Sequence, residues 1–512
     1  MAGLQTNEKT TNITILHHTE RPTNMQMHRQ ILLLLFLHSL AVSQANASQT
    51  ETARSSPATK QNVVMICIDD LNDWVGFMGG NPETRTPHLD ALAKHGRAFT
   101  NAHCVVPVCS PSRISVIAGL HATTHGSYEL GPSYTSIPRL DHAPTMHATF
   151  RQHGYKTLTG GKVLHHGFKG RLAKDIDVVL HGRHGGPRPK EPFHWNPRVW
   201  DYGPYPETDE QMDDMKLAKA AAAFLKKPAT QPFFMSVGFF RPHVPMYVPP
   251  RWFSHFDRSS LTLPAAPPED MSDIPMIFQN MNQIAPTHAQ VQMAGQWRGF
   301  VQAYLASTAF VDHCVGTLLA GLTSGPNADN TLIVLWSDHG FHLGEKQHWA
   351  KRTLWEESTR VPLIIAGNGI TPGQPCEEAV SLVDLYPTLM ELCDLEAKTQ
   401  LDGTSLAPQL ADPQTPRKQP VVISSFEGNH AIRSRRWRYI RYQDDSEELY
   451  DHSKDSREYT NLATEQEYAS VIAELATYLP QNSASEVKPL PNRESNNEGL
   501  RRRRQTSGAV KK

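Results

Sequence analysis

Cysteine is scarce in this chain: six among 512 residues, at positions 67, 104, 109, 314, 376 and 393, with no Cys-x-x-Cys pair. That spacing excludes a zinc ribbon and a disulfide-dense scaffold. It leaves room for one or two bridges, which the sequence does not assign. Net charge is missing too. Fifty Lys and Arg face 51 Asp and Glu, a formal −1. A near-neutral chain has no global field to draw it to nucleic acid or an anionic membrane, and no nucleic-acid partner is expected. Long apolar runs are also absent, apart from Ile31–Val42 behind His28 and Arg29. That run falls short of the roughly 20 residues of a membrane span, so no stable span is expected. Ala45-Asn46-Ala47 then offers a small-x-small cleavage pattern. Residues 1–47 are read as a leader and secretory signal, with Met25 or Met27 as alternative starts and an uncleaved anchor as the competing reading. Export, to the periplasm or outside the cell, is the expected destination. There are no internal repeats.

What is present is globular: 39% hydrophobic and 20% charged, long enough for a large core and a smaller second unit. Residues 48–60 read as a linker, 61–416 as the main domain, 417–480 as a C-terminal subdomain and 481–512 as a disordered basic tail with Arg501–Arg504 in a row. Within the subdomain, Val421–Ser425, Ala431–Tyr442 and Leu449–Asp451 pattern as strands and Ala463–Tyr478 as a covering helix. The basic alternation over Arg433–Arg441 is read as a solvated strand face rather than a nucleic-acid surface.

The chain is organised around Cys109-Ser110-Pro111-Ser112-Arg113, where an apolar helical pattern begins. Pro111 suits the first turn of a helix. Cys109 then lies at the helix N-terminus, where backbone N–H groups favour anions. Arg113 adds a planar fork matched to a tetrahedral oxyanion. A buried structural cysteine ahead of an ordinary helix fits the local pattern equally well.

Other candidates sit where short apolar runs end. Asn62–Ile68 reads as a buried strand followed by Asp69 and Asp70. Adjacent carboxylates repel unless a cation or proton holds them, and oxygen ligands suit Ca²⁺ or Mg²⁺; a solvated acidic loop is the alternative. Lys162 and His165 emerge after the run at Tyr155–Gly160, and His243 lies between prolines after Pro232–Phe240. Asp338 and His339 follow Thr331–Trp336. Open α/β sheets bind ligands at the carboxyl ends of such strands. His166–Pro204 reads as an irregular pocket rim, and Pro249–Gly295 as lid or surface loops.

These motifs resemble the type I sulfatase family. Cys109, Pro111, Ser112, Arg113 and Gly119 match its first signature, with Val116, Ala118 and Leu120 where the family usually has Leu, Thr and Arg. Gly154-Tyr155-x-Thr157 and Gly161-Lys162-x-x-His165 match the second. Thr86-Pro87-x-Leu89-Asp90, the helix carrying Tyr304 and Asp312, and Lys351 follow in family order. Arg241-Pro242-His243-Val244-Pro245 and Asp338-His339 resemble the iduronate-2-sulfatase-like branch. The resemblance implies an alkaline-phosphatase-like α/β sandwich: a large, mixed, mostly parallel sheet flanked by helices, plus a small C-terminal antiparallel sheet. It implies that a maturation enzyme converts Cys109 to Cα-formylglycine, and that Asp69, Asp70, Cys109, Asp338 and His339 surround one Ca²⁺. It implies that Arg113, Lys162 and Lys351 hold the sulfuryl group of a sulfated carbohydrate. His243 would protonate the leaving alcohol and His165 would take a proton from the hydrate. A phosphate or phosphonate ester hydrolase of the same superfamily, and a non-catalytic glycan-binding relative, are the alternatives.

Overall fold

The computed structural model describes residues 60–182, 185–194, 200–277 and 285–488. The leader, nearly all of the linker and residues 489–512 of the basic tail lie outside the described residues.

Short β-branched runs form the centre. β1 (Asn62–Ile68), β2 (Gly96–His103), β3 (Lys156–Gly161), β4 (Val178–Val179), β5 (Phe233–Phe239), β6 (Thr331–Ser337), β7 (Arg360–Gly367) and β8 (Val380–Ser381) make one sheet in the order β8-β2-β7-β6-β1-β5-β3-β4. β1 pairs in parallel with β5 and β6, and β3 with β5 and β4. Only β7 runs against its neighbours, β2 and β6. The expected large, mostly parallel sheet is therefore present.

Both faces of this sheet are buried, which is why its strands read as continuous apolar runs. Side chains alternate across a strand. Val64, Ile66 and Ile68 of β1 join one core with α4 (Asp213–Leu225) and α5 (Trp297–Thr323). Val63, Met65 and Cys67 join the other, with α2 (Cys109–Ala118), α3 (Met146–Gln152) and α6 (Leu385–Leu392). Each such fully buried side chain stabilises the fold by about 1.5–3 kcal/mol. α1 (Pro87–Lys94) has its first turn capped by Asp312 of α5, which accepts from the N–H groups of His88 and Leu89. α5 is long and apolar enough to cross a membrane, yet it is the core helix here, packed along α4.

The smaller sheet, β9 (Val421–Ser424), β10 (His430–Arg433), β11 (Trp437–Arg441) and β12 (Glu447–Asp451), is antiparallel throughout. One face meets α7 (Ala469–Ala476) and the other packs on Leu354 and Trp355. Some expectations are corrected here. The run Ala431–Tyr442 is two strands, because Ser434 turns the chain and its N–H pairs with the Trp437 carbonyl. The covering helix is shorter than Ala463–Tyr478. Arg433 and Arg438 are buried rather than solvated, because Glu356 lies opposite them. All six cysteines are free, each held inside the core rather than near another sulfur. Residues 481–488 are ordered enough to pair: Ala484 and Val487 donate to the carbonyls of Thr123 and Gly126.

Candidate active site

The parallel topology delivers the acids. β6, β1, β5 and β3 are adjacent and run the same way, so their carboxyl ends open on one crevice. Asp338 and His339 leave β6, Asp69 and Asp70 leave β1, His243 follows β5, and Lys162 and His165 follow β3. Cys109 arrives from the loop after β2, as the first residue of α2. Its position at the helix start follows from extended Val108 before it and from the left-handed turn at Gly119 (φ 68°) after it.

All the side chains singled out in the sequence meet there. The Cys109 Sγ lies 3.2 Å from His339 Nε2, 3.1 Å from Lys351 Nζ and 4.0 Å from Asp70 Oδ1. Arg113 donates through Nε to Asp338 Oδ2 at 2.7 Å, and its Nη2 is 3.3 Å from Asp69 Oδ1. Lys162 Nζ pairs with Asp69 Oδ2, and Lys351 Nζ with Asp70 Oδ1 at 2.5 Å. His339 Nε2 is 3.4 Å from Asp70 Oδ1. His243 Nε2 stands 3.9 Å from Asp70 Oδ2. His165 stands beside the Cys109 sulfur and helps to hold its charge. Asp69, Asp70, Arg113, Asp338 and His339 are fully buried, whereas the His243 side chain keeps 20% of its surface exposed. The buried ions thus lie beneath, and the two open imidazoles stand at the mouth.

The electrostatics follow from that burial. Burial raises the Asp338 carboxyl to about 6, although Arg113 and His339 pull it down. Burial also opposes ionisation of Asp69, and Cys109 adds to this, but Lys162, His243 and Arg113 hold it below the usual carboxylate range. Burial alone would raise the Cys109 thiol; Lys162, Lys351 and His339 hold it well below the ordinary thiol range. A sulfur so placed is an anion in a cationic cradle.

The aspartate oxygens of the donor set fit a hard divalent ion. One ligand atom each from Asp69, Cys109, Asp338 and His339 lie within 4.8 Å of one another, as do those from Asp69, Asp70, Cys109 and His243. Asp69 Oδ1 and Asp70 Oδ2 are buried without a hydrogen bond. Carboxylate oxygens that accept no hydrogen bond at such a convergence match the chemistry of Ca²⁺ or Mg²⁺.

The sequence named Ser112 and Tyr304 as motif positions without giving them a role, and both are supports of the site. Asp70 has a left-handed backbone (φ 62°). Its carbonyl accepts from Tyr304 Oη at 2.7 Å, and the next N–H, of Leu71, donates to Ser337 Oγ at 3.0 Å. Ser112 Oγ donates to the Asp338 carbonyl at 2.6 Å.

Comparison with known proteins agrees with this geometry. The family model "Sulfatase" matches residues 61–395, and "N-sulphoglucosamine sulphohydrolase, C-terminal" matches 344–485. A sulfatase of Formosa agariphila is 34% identical, over 83% of this chain and 87% of its own. The choline-sulfatase of Rhizobium meliloti is 31% identical, over 79% and 82%. A Δ4,5-hexuronate-2-O-sulfatase of Bacteroides thetaiotaomicron is 28% identical, over 82% and 88%. Among solved structures, a 2-O GAG sulfatase superposes with a TM-score of 0.63 at 25% identity, over 88% of this chain and 94% of that one. A phosphonate monoester hydrolase of Agrobacterium radiobacter gives 0.69 at 22% identity, over 81% and 94%, a likeness of fold. The alkaline-phosphatase-like sandwich, the ordered motifs and the family match over most of the chain leave one conclusion: this chain is a member of the sulfatase family.

Proposed function

We propose that this sulfatase hydrolyses sulfate esters of sugars, in glycosaminoglycan-type or related polysaccharide fragments, with residue 109 acting as Cα-formylglycine. The observation that carries the reading is the setting of Cys109, within about one hydrogen bond of Lys351, His339 and Asp70. The relatives named for hexuronate and GAG sulfates support a sugar substrate.

Asp69, Asp70, Asp338 and His339, with residue 109, would hold one Ca²⁺, which supplies positive charge to sulfate oxygens and to the nucleophile. The hydrated aldehyde at 109 supplies a hydroxyl nucleophile and a second hydroxyl for release of sulfate, which a thiol lacks. Arg113, Lys162 and Lys351 bind and orient the sulfuryl group and stabilise the charge it gathers. Their burial excludes water from these contacts. His243, with 20% of its side chain exposed, faces the side where an alcohol departs and donates its proton there. His165, beside position 109, accepts a proton from the nucleophile's side. A maturation enzyme in the producing cell installs the aldehyde, and the signal at 1–47 directs export.

The test is turnover by matured, Ca²⁺-loaded protein on a panel of defined sulfated oligosaccharides, beside matched phosphate esters. A sulfate-selective kcat/KM is expected. Selectivity for phosphate would replace this reading with a phosphoesterase. Peptide mass across Val108–Ser110 should show residue 109 as the aldehyde; an unmodified thiol in fully active protein would overturn the mechanism. The secretory reading is checked by the N-terminus of exported protein, expected near Ser48.

A further inference from the structure

The segment that brings Lys351 to Cys109 holds itself in an unfavourable shape. His342–Leu343 pairs with Trp349–Ala350 as a tight hairpin, and Lys351 follows at once. Between 346 and 352, four non-glycine residues have left-handed backbones: Lys346 (φ 50°), Gln347 (52°), Ala350 (71°) and Arg352 (82°). Each costs about 1–3 kcal/mol relative to ordinary backbone and persists only where surroundings over-determine it. The strap must therefore be anchored from outside at both ends.

The C-terminal anchor is Arg352. Its N–H donates to the Pro107 carbonyl at 3.1 Å, its carbonyl accepts from Ser425 Oγ at 2.7 Å, and its Nη2 lies 2.8 Å from Glu129 Oε2. The N-terminal anchor is Lys346, a lysine only 3% exposed and directed away from the reacting atoms. Its Nζ donates to Asp270 Oδ1 at 2.9 Å and to the Glu458 carbonyl. The ammonium also lies over the rings of Trp355 (4.9 Å) and Tyr450 (5.4 Å). One ammonium thereby ties the strap to the segment between β5 and α5, at Asp270, and to the loop after β12, at Glu458. Burying such a pair is costly, and an apolar side chain of similar volume would pack as well. The arrangement makes sense where it specifies geometry, because a displacement of about 1 Å at a catalytic group costs roughly 100-fold in rate.

We propose that Lys346, through Asp270 and the Glu458 carbonyl, is a positioning residue that fixes the strap carrying Lys351. The proposal rests on the reading of Lys351 as a contact of the sulfuryl group. The test uses full-length protein with Lys346→Arg, and with Lys346→Met combined with Asp270→Asn, which leaves no unpaired charge behind. Hydrogen exchange is measured without ligand; kcat, KM and the unfolding midpoint are measured on matured protein. In the double variant, exchange over 344–352 should quicken at least about 10-fold while β1 stays protected. Its kcat should fall about 10–100-fold with KM within about threefold. Lys346→Arg should recover most of the rate. Unchanged exchange overturns the anchor, whatever the activity. Faster exchange with native kcat overturns the positioning of Lys351. Should the double variant not fold, Lys346→Gln takes its place, with the same two readouts deciding. A native protein inert on every sulfate ester counts against the proposed function alone, since exchange decides the anchor separately.

Discussion

Two buried clusters in this protein use the same ingredients to opposite ends. Around Cys109, three aspartates meet Arg113, Lys162, Lys351 and His339. Where the small sheet joins the main domain, Glu356 and Glu458 meet Arg433, Arg438 and His452. Both bring acids and imidazole together closely enough to suggest a metal site. The difference lies in the oxygens. In the second cluster both Glu356 oxygens face Arg433, and Glu458 takes Arg438 and His452 on one oxygen and the Glu356 N–H on the other. In the first, Asp69 Oδ1 and Asp70 Oδ2 have no hydrogen bond. Saturated carboxylates fasten two parts of a fold; unsaturated ones await something else.

The sharpest way to break this comparison is at position 109. Cys109→Ala should reduce kcat/KM on a sulfate ester by at least about 10⁴-fold, as loss of a nucleophile does. Its unfolding midpoint should stay near native, because the side chain holds no fold element together. Retained turnover would sink the assignment of the nucleophile. The second cluster should respond in the reverse way. Glu356→Gln removes the acid that two buried arginines share and should cost about 3–5 kcal/mol in denaturant unfolding. Asp338→Asn, measured at pH 7 without metal, should cost nothing or stabilise, since burial already disfavours that charge. Equal losses in the two variants would erase the distinction.

The sequence made the first cluster legible and hid the second. Asp69, Asp70, Asp338 and His339 each end an apolar run, and strand ends are readable from a single chain. Cys109 and Arg113 carry a local pattern of their own. Glu356 has no such frame: it stands in a polar stretch before β7, and its partners lie on strands far along the chain. Arg433 and Arg438 alternate as an exposed face would, so pattern alone assigned them to solvent. Their burial depends on a long-range acid that periodicity does not reveal. The split of Ala431–Tyr442 into β10 and β11 was missed for a related reason. The turn at Ser434–Arg436 contains neither glycine nor proline, so no strong turn signal marks it.

One carboxyl from each cluster, Asp338 and Glu356, should also titrate in opposite directions. In metal-free, unmodified protein the Asp338 carboxyl sits near 6, above its ordinary value near 4. The folded state then binds that proton more tightly, so this group's contribution is full below about pH 4 and is lost as pH rises through 6, a change of about 2–3 kcal/mol. Burial opposes ionisation of Glu356, yet Arg433, His452 and Arg438 hold its carboxyl well below the usual range. Its contribution is present above about pH 4 and is lost as pH falls through its depressed value. Asp69 works in the same sense as Glu356. Denaturation curves between pH 4 and 7 should therefore show a fall with rising pH of which Asp338→Asn removes a part and Glu356→Gln none, the remainder belonging to buried carboxyls such as Asp312 and Glu345, which burial raises to about 7. A fall equally steep in native protein and Asp338→Asn would show that this carboxyl contributes none of it.

The smallest expected effect is an absence of change. Calcium titrated into chelated protein should bind once per chain, and Glu356→Gln should leave both stoichiometry and affinity as they were. The reason is occupancy. A cation entering between Glu356, His452 and Glu458 must first displace the Arg438 guanidinium, which also donates to the Leu354 carbonyl at 2.7 Å and to Thr359 Oγ1 at 3.0 Å. It would leave a fully buried positive charge without its acids, a far larger penalty than a weak carboxylate–calcium contact returns. At the crevice, by contrast, the ion meets Asp69 Oδ1 and Asp70 Oδ2, which accept no hydrogen bond, so Asp70→Asn should weaken binding by more than about 10-fold. A second calcium in the native protein that disappears in Glu356→Gln would show that the guanidiniums do yield, and that hydrogen-bond saturation is the wrong criterion for telling the clusters apart.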